Sequence, residues 1–311
     1  MSVIVFPFLS NCAAQPRARG STWLFSFFDL LHVTQPAVTK RIQNLESRLN
    51  TRLFDRVGKR VYLTDGGKLL MPRARSLLTA MADTERLLRN LDARVDGALR
   101  LATSHHVGLH RLAPVLRTFS RAYPAVQLDI RFEDSEAAHE LVRRAETELA
   151  VVTLNPEGDT ELTCQPVWDD PLCFVVAPDH PLAGSGSPAG APPQAGDHTI
   201  SLEHLARHPV VLPGMATYTG RIVADLFDSR GIALKPSLST NFLETISMLV
   251  GIGLGWSVLP ASMVGNTLIE LKTDAPPLRR QLGCVTHPQR TPSNAASAFL
   301  GIVQAYADPS P

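Results

Sequence analysis

The chain has 311 residues, a formal net charge of +1 and 44% hydrophobic residues. This length allows more than one folded domain. No stretch approaches 18 consecutive apolar residues, so we expect no membrane span. The four cysteines show no CxxC spacing, which argues against a zinc site or a disulfide framework. We therefore expect a protein of the reducing cytoplasm.

Charge is distributed unevenly along the sequence. Between Thr34 and Ser76 there are ten lysines and arginines against three acidic residues. This segment therefore carries +7, and the rest of the chain sums to −6. A basic segment on an otherwise slightly acidic chain is the electrostatic pattern of a nucleic-acid-binding module.

The first candidate element is a helix within residues 31–49. Its apolar residues recur at steps of four and three, at Val38, Ile42, Leu45 and Leu49, which predicts one buried stripe. The opposite face carries Pro36, Thr39, Lys40, Gln43 and Ser47. Thr34 is the candidate N-cap, and Pro36 falls in the first turn, where a missing donor costs little. The pattern suits insertion into a DNA major groove, but it equally fits an ordinary surface helix.

A β-hairpin is predicted over residues 52–64. Its apolar positions are Leu53, Val57, Val61 and Leu63, and Gly58 supplies the turn. The tip, 58–60, carries a lysine and an arginine. We expect this tip to act as a basic wing against the phosphate backbone.

Residues 31–70, LHVTQPAVTKRIQNLESRLNTRLFDRVGKRVYLTDGGKLL, resemble the winged helix-turn-helix of the LysR-type transcriptional regulators without a gap. The resemblance implies a recognition helix that begins with Thr34, Gln35 and Pro36 and binds promoter DNA containing an imperfect palindrome. Base readout would come from Gln35, Thr39 and Gln43. Phosphate contacts would come from Lys40, Arg41, Arg52, Arg56, Lys59 and Arg60.

Residues 1–28 do not fit the family pattern. Phe27 and Phe28 stand where the family has two small alanines that let the first helices approach. Overpacking there would cost roughly 1–3 kcal/mol or more. Our hypothesis is that this segment reflects a shifted reading frame or a misplaced start. The alternative function is therefore a small-molecule-binding dimer that has lost DNA binding.

A long helix is predicted from Thr64 or Asp65 to about Arg94. Apolar residues step by four and three through Leu70, Ala74, Leu77, Met81, Leu88 and Leu91, with Thr84 the one polar member. Such a seam needs a partner, which is either the rest of its own domain or a second subunit. The resemblance implies antiparallel pairing with a second copy, giving a homodimer or a homotetramer built from two dimers.

The remaining residues alternate between strand and helix patterns. Strands at 98–103, 128–132 and 149–154, with helices at 109–122 and 135–145, predict a parallel sheet. Ser135 is the candidate N-cap of the second helix. We expect a two-lobed α/β unit like type 2 periplasmic binding proteins, which is also the effector domain of the LysR-type family. The expected divisions are a DNA-binding domain 1–63, a linker helix 64–96 and an effector domain 97–311.

We expect two crossings between the lobes, near 166–170 and 267–272. Lobe I is then 97–166 with 271–311, and lobe II is 167–270. A ligand in such a fold binds between the lobes, at the carboxyl ends of the strands. The candidate effector residues are Thr103, Ser104, His105, Thr153, Thr217, Thr219, Thr240 and Asn241.

Apart from His105, these candidates carry hydroxyl or amide side chains, and the backbone amides of the helix after Ser104 can hold an anion. They favour a small polar or carboxylate effector whose binding closes the lobes and alters promoter contacts. By resemblance, Thr103 and Ser104 match a position where family members contact their effector. Taken singly, a Ser, Thr or Asn before a helix is more often a cap.

An enzyme is the main rival class. Cys173 with His180 as its base is the strongest candidate pair, but Cys173 falls within a predicted strand and His180 in a loop. The sequence contains no GxSxG, Walker or HExxH motif. We therefore expect no catalysis, cofactor or metal. The expected partners are double-stranded DNA, a second copy of the chain, a small effector and RNA polymerase.

Overall fold

A computed structural model of the chain describes residues 35–57, 60–92, 94–184, 199–265 and 267–308. The chain divides into two compact units, one ending at Arg89 and the other beginning at Asn90. The hypothesis about residues 1–28 lies outside the described residues, as do the predicted N-cap Thr34 and the wing residue Lys59.

The first unit contains the predicted amphipathic helix, α1 (Gln35–Leu49). Val38 and Ile42 are buried because their spacing of four places them on one face of the helix. Leu49, the last residue of the apolar stripe, is 46% exposed. Its predicted burial is wrong, because it ends the helix at the edge of this small core.

The predicted hairpin follows, with β1 (Phe54–Val57) and β2 (Arg60–Leu63) paired antiparallel. Leu53, directly before β1, is buried, which confirms it as the hairpin's apolar anchor. Val61 is exposed instead of buried, because it lies beside the turn and away from this anchor.

The linker helix is α2 (Asp65–Asn90), four residues shorter than predicted at its carboxyl end. Thr64 is its cap, because its Oγ1 accepts a hydrogen bond of 3.1 Å from the amide of Gly67. The seam is buried at Ala74 and half-buried at Leu70. The other apolar seam residues are exposed: Leu77, Met81, Leu88 and, just beyond the helix, Leu91.

Lobe I of the second unit has three parallel strands, β3 (Gly97–Thr103), β4 (Val126–Phe132) and β5 (Leu149–Thr153). β3 lies between the other two and is parallel to both, which confirms the prediction from the βαβαβ pattern. The connecting helical segments are α3 (His105–Val107), a π-helical turn (Gly108–Leu112), α4 (Ala113–Ala122) and α5 (Ser135–Arg143).

Ser135 is not the N-cap of α5, contrary to the prediction. The N-cap position is Asp134, whose side chain makes no capping hydrogen bond. The Ser135 hydroxyl instead accepts a hydrogen bond of 3.2 Å from the amide of Thr153. It thereby ties the start of α5 to the end of β5 at the edge where a ligand site is expected.

The two lobes share one long strand, β6 (Thr163–Val176), which pairs antiparallel with β11 (Leu278–Thr286) along its length. The first crossing, near residues 166–170, is confirmed by this path. The second crossing was predicted near residues 267–272, and this position is wrong. Leu271 is buried in the core of lobe II, and Leu278 packs against that core. The chain returns to lobe I along β11, close to Arg280.

Lobe II is formed mainly by the residues between β6 and β11 in the chain. Its elements are α6 (Leu202–Leu205), β7 (Val211–Leu212), α7 (Tyr218–Ser229), β8 (Leu238–Ser239), α8 (Leu243–Gly251), β9 (Ser257–Pro260) and β10 (Ile269–Glu270). β9 and β10 both pair antiparallel with β6. The core is built around Trp256, which stacks on Phe227 with ring centroids 5.7 Å apart.

The last helix, α9 (Asn294–Ala305), returns to lobe I. Ser293 caps it by accepting a hydrogen bond of 3.0 Å from the amide of Ala296. Phe299 of α9 packs edge-on against Phe119 of α4 with ring centroids 5.2 Å apart. In the described part of the chain, none of the helices combines the length and the apolar character that crossing a membrane requires.

Candidate DNA-binding surface and effector cleft

Helix α1 presents a polar face to solvent. Pro36, Lys40, Arg41 and Gln43 are exposed, and Thr39 is half-exposed. Gln35 is the first residue of the helix. An amide, a hydroxyl and cationic groups on one exposed face are the groups that can read base edges and hold phosphates.

The hairpin carries the other predicted phosphate contacts. Arg52 is exposed just before β1, Arg56 lies on β1, and Arg60 is the first residue of β2. Glu46 of α1 is one of the three acidic residues of the basic segment 34–76. Its Oε1 accepts hydrogen bonds from the amides of Leu53 (2.7 Å) and Phe54 (3.2 Å). Glu46 thus fixes the start of the hairpin against the recognition helix.

A cleft between the lobes of the second unit brings together most of the predicted effector residues. It encloses about 50 Å³. The predicted residues that line it are Ser104, His105, Thr153, Thr217, Thr219 and Asn241. They meet because the carboxyl ends of β3 and β5 face the loops before α7 and α8.

Two predicted effector residues do not line the cleft. Thr103 is buried within the sheet, where its hydroxyl donates a hydrogen bond of 2.7 Å to the carbonyl of Val151. Thr240 lies just outside the lining, and its amide donates to the carbonyl of Leu212 at 3.3 Å. Neither residue belongs to the lining, so both assignments are wrong. Alternation along β3 turns the Thr103 side chain into the sheet, and Thr240 follows β8 outside the cleft.

Polar contacts hold the two lobes together in a closed arrangement. The Asn241 side-chain amide donates a hydrogen bond of 2.6 Å to the Asp134 carboxylate. The backbone amide of Tyr218 donates to the Glu136 carboxylate. His105 of lobe I also packs edge-on against the Phe242 ring, with centroids 4.9 Å apart. Two carboxylates of lobe I therefore accept hydrogen bonds from donors of lobe II.

The floor of the cleft contains a buried ion pair that the sequence did not predict. Arg280 of β11 donates through Nε to Asp170 of β6 at 2.7 Å, and through Nη1 to Thr219 at 2.9 Å. Burial lowers the pKa of Arg280 from its usual range, and the charge of Asp170 opposes that shift. In sequence, Arg280 is one of two adjacent arginines, and only the strand register shows which of them points inward.

Two histidines near the cleft are held neutral. Burial, followed by the charges of Arg280, His110 and Arg111, lowers the pKa of His106 to about 3. Burial also lowers the pKa of His139, whose Nδ1 hydrogen-bonds the carbonyl of Ser135 at 2.8 Å. The His139 ring lies edge-on to Tyr218, with centroids 5.3 Å apart.

The structure does not support Cys173 and His180 as a nucleophile and its base. Cys173 is half-buried in β6, and burial together with the adjacent Glu270 carboxylate raises the pKa of its thiol to about 12. A thiol with that pKa is not a thiolate at neutral pH and is a poor nucleophile. His180 uses its Nδ1 to accept a hydrogen bond of 3.2 Å from the amide of Leu182 in its own loop.

An exposed polar recognition helix with a hairpin, followed by a two-lobed unit with a polar cleft, defines a ligand-responsive DNA-binding regulator. Residues 92–308 match the family model described as the LysR substrate binding domain. Residues 29–68 match that of the bacterial regulatory helix-turn-helix protein, lysR family. Since the first match alone covers more than half of the chain, the chain belongs to the LysR family of transcriptional regulators.

One sequence relative agrees with this assignment, and one full-length solved structure shares the fold. The chain is 29% identical over 286 residues to the uncharacterized HTH-type transcriptional regulator YeiE of Escherichia coli K12, covering 90% of each protein. It has a TM-score of 0.64 with a variant of full-length OxyR from Pseudomonas aeruginosa, at 18% identity, covering 98% of this chain and 93% of that one.

The effector-binding fold also has solved counterparts. One is the regulatory domain of Synechocystis PCC6803 CcmR in complex with 2-PG. That domain has a TM-score of 0.58 and 24% identity, covering 68% of this chain and 98% of its own. The two-lobed fold predicted from the strand and helix order is thus confirmed.

Proposed function

We propose that this LysR-type regulator responds to a small carboxylate that binds between the lobes and takes the place of the chain's own carboxylates. The observation that carries this proposal is the pairing of Asn241 with Asp134 and of the Tyr218 amide with Glu136. These donors of lobe II already bind carboxylate oxygens supplied by lobe I. A ligand carboxylate has the same acceptor geometry and can bind the same donors.

The size of the cleft supports an opening step before the effector enters. The enclosed volume of about 50 Å³ is far below the roughly 300 Å³ or more of typical small-molecule pockets. The lobes must therefore separate, breaking the two interlobe hydrogen bonds, before a metabolite can bind. Binding then recloses the lobes on the ligand and shifts the population between two lobe arrangements.

Arg280 favours an anionic ligand over a neutral one. Its Nη2 is buried and has no hydrogen-bond partner, and the residue lines the cleft. Ser104, Thr153 and Thr219 supply neutral hydroxyls or backbone groups beside it. A ligand with one carboxylate and further hydroxyl groups is the class that satisfies this set.

The exposed leucines and methionine of α2 support dimerisation through the linker helix. Leu77 and Leu88 are 66% and 63% exposed, which is costly unless another surface covers them. We propose that a second copy pairs with this seam, that two dimers can assemble further, and that the target is an imperfect palindrome. RNA polymerase is the proposed partner at the promoter. We propose no catalytic activity for the chain.

Two experiments test these proposals. Isothermal titration of the full chain with a panel of small carboxylates and their matched amides should show binding of carboxylates alone; equal binding of both series contradicts the effector class. A gel shift with the upstream region of its own gene against a scrambled duplex tests DNA binding. Absence of any preference would favour the alternative of a ligand-binding dimer that has lost DNA binding.

A further inference from the structure

Three ligand-type side chains outside the carboxylate-binding pairs converge at the interface of the two lobes. His106 of α3 and His110 of the following π-helical turn come from lobe I, and Glu244 of α8 comes from lobe II. One potential metal-ligand atom from each of the three lies within 4.8 Å of the others. We propose that these three residues form an interlobe site for a divalent transition-metal ion of the Zn²⁺ class.

The distances fit a shared ion. Glu244 Oε1 lies 3.6 Å from His106 Nδ1 and 3.3 Å from His110 Nε2. Ligand atoms about 2.0–2.2 Å from a tetrahedral zinc ion stand roughly 3.4 Å from one another. These two separations bracket that value, and the two histidine nitrogens lie within 4.8 Å of each other.

The hydrogen-bond inventory gives an independent reason to expect an ion. His106 is only 4% exposed, yet neither of its ring nitrogens has a hydrogen-bond partner. Glu244 Oε1 is also buried without a hydrogen-bond partner. Buried polar atoms are nearly always satisfied, and a set of unsatisfied ones that face a common point indicates a missing ion or water. One metal ion satisfies His106 Nδ1 and Glu244 Oε1 together.

The surroundings supply an outer carboxylate. The second ring nitrogen of His106, Nε2, lies 4.0 Å from Asp170. A carboxylate behind a ligating histidine orients the ring and increases its basicity. Asp170 also forms ion pairs with Arg111 and Arg280, which offsets their charges beside the site. Two imidazoles and one carboxylate favour Zn²⁺, Ni²⁺ or Co²⁺ over Mg²⁺ or Ca²⁺, which prefer oxygen ligands.

Local backbone geometry explains how the two histidines meet. His106 and His110 are four residues apart, and the helical path continues from α3 into the π-helical turn between them. Their ring centroids lie 4.7 Å apart. π-helical turns are rare and occur frequently at functional sites. Because the third ligand belongs to the other lobe, a bound ion stabilises the closed arrangement whichever effector fills the cleft.

The test is Zn²⁺ binding by the full chain, stripped with EDTA and titrated against a competing chelating dye in the presence of excess Mg²⁺. We expect one Zn²⁺ per chain, with affinity reduced about tenfold or more in His110→Ala and in Glu244→Gln. His204→Ala is the matched control, because His204 and His208 form another histidine pair four residues apart, with ring centroids 5.2 Å apart. The Zn²⁺ affinity of His204→Ala should equal that of the unaltered chain.

Co²⁺ substitution gives a second readout. An intense visible absorption band typical of tetrahedral Co²⁺ should appear with the unaltered chain and with His204→Ala, and disappear in His110→Ala. Absence of Zn²⁺ binding, a loss confined to His204→Ala, or equal affinity in all variants overturns the proposal. Thermal unfolding in EDTA checks that each variant is folded. A gel shift in EDTA tests the regulatory function separately, so either proposal can fail without the other.

Discussion

Arg280 and Asp170 face each other on the two long strands that join the lobes, with a nitrogen-to-oxygen distance of 2.7 Å. Both side chains are almost fully buried, at 4% and 1% exposure. The pair therefore lies at the junction of the two lobes and forms the floor of the ligand cleft. Arg111 reaches the other Asp170 oxygen at 3.6 Å, so the junction is one connected charge cluster.

Replacing Arg280 should destabilise the second unit strongly. Arg280→Met leaves Asp170 as a buried, poorly compensated charge, at a cost of about 3–5 kcal/mol. The measurement is urea unfolding of the full chain, followed by tryptophan fluorescence. The adjacent Arg279 pairs with Asp169 in a largely exposed position, so Arg279→Met is the control and should cost only about 0–1 kcal/mol. Equal losses in the two variants would contradict a special role for the buried pair.

Asn241→Ala should weaken carboxylate binding. It removes the side-chain amide that now donates to Asp134, and a hydrogen bond to a charged group is worth about 1.5–3 kcal/mol. Titration calorimetry with the tightest-binding carboxylate from the panel should show roughly a tenfold or larger loss of affinity. Asp134→Asn should do the opposite, because it removes the competing internal carboxylate. Unchanged affinity in both variants would remove Asn241 from the binding site.

Two substitutions in α1 should separate base readout from phosphate contact. Gln35→Ala should cost about 1–3 kcal/mol at the cognate site and relax sequence preference. Lys40→Ala should weaken binding to every duplex and reduce the slope of affinity against salt concentration. Fluorescence anisotropy on cognate and scrambled duplexes at several salt concentrations measures both effects. A uniform loss for Gln35→Ala would argue against base readout by that residue.

Gly67 should not tolerate a side chain. An added Cβ would lie 2.2 Å from the carbonyl oxygen of Leu53 and 2.9 Å from a methyl of Leu63. Gly67→Ala therefore forces the start of α2 away from the hairpin, at a cost of roughly 1–3 kcal/mol. Gly301→Ala in α9 meets nothing within 4 Å, and as the control it should be neutral or stabilising by up to about 1 kcal/mol. Thermal unfolding compares the two.

Stability should fall as the solution becomes acidic. The folded pKa of His139 is lowered by burial, so the unfolded chain binds a proton first as the pH drops below about 6.5. The stability that the neutral His139 contributes is complete above that pH and is lost as the pH falls toward the folded pKa. His139→Gln should therefore lose about 1 kcal/mol less between pH 7.5 and 5.5 than the unaltered chain. Urea midpoints in EDTA at the two pH values measure this difference.

The sequence by itself determined the local elements and the family. Periodicities of four and three defined α1 and α2, and the alternation of strand and helix defined the parallel strands β3, β4 and β5. These features depend on neighbours within a few residues, so they can be predicted from the sequence. The strand end that carries Thr153 and the loops that carry Ser104, Thr217 and Asn241 were also predictable, because a known fold fixes which strand ends meet.

Only the tertiary structure decided which side chains point into the cleft and what they pair with. Thr103 and Thr240 were misassigned, while Arg280, Asp170 and the cluster of His106, His110 and Glu244 were missed. Each of these facts depends on strand register or on contacts between residues far apart in the chain, such as Asp170 with Arg280, which are 110 positions apart. A shift of one residue in register turns a side chain to the opposite face, and the sequence pattern alone does not fix the register between β6 and β11.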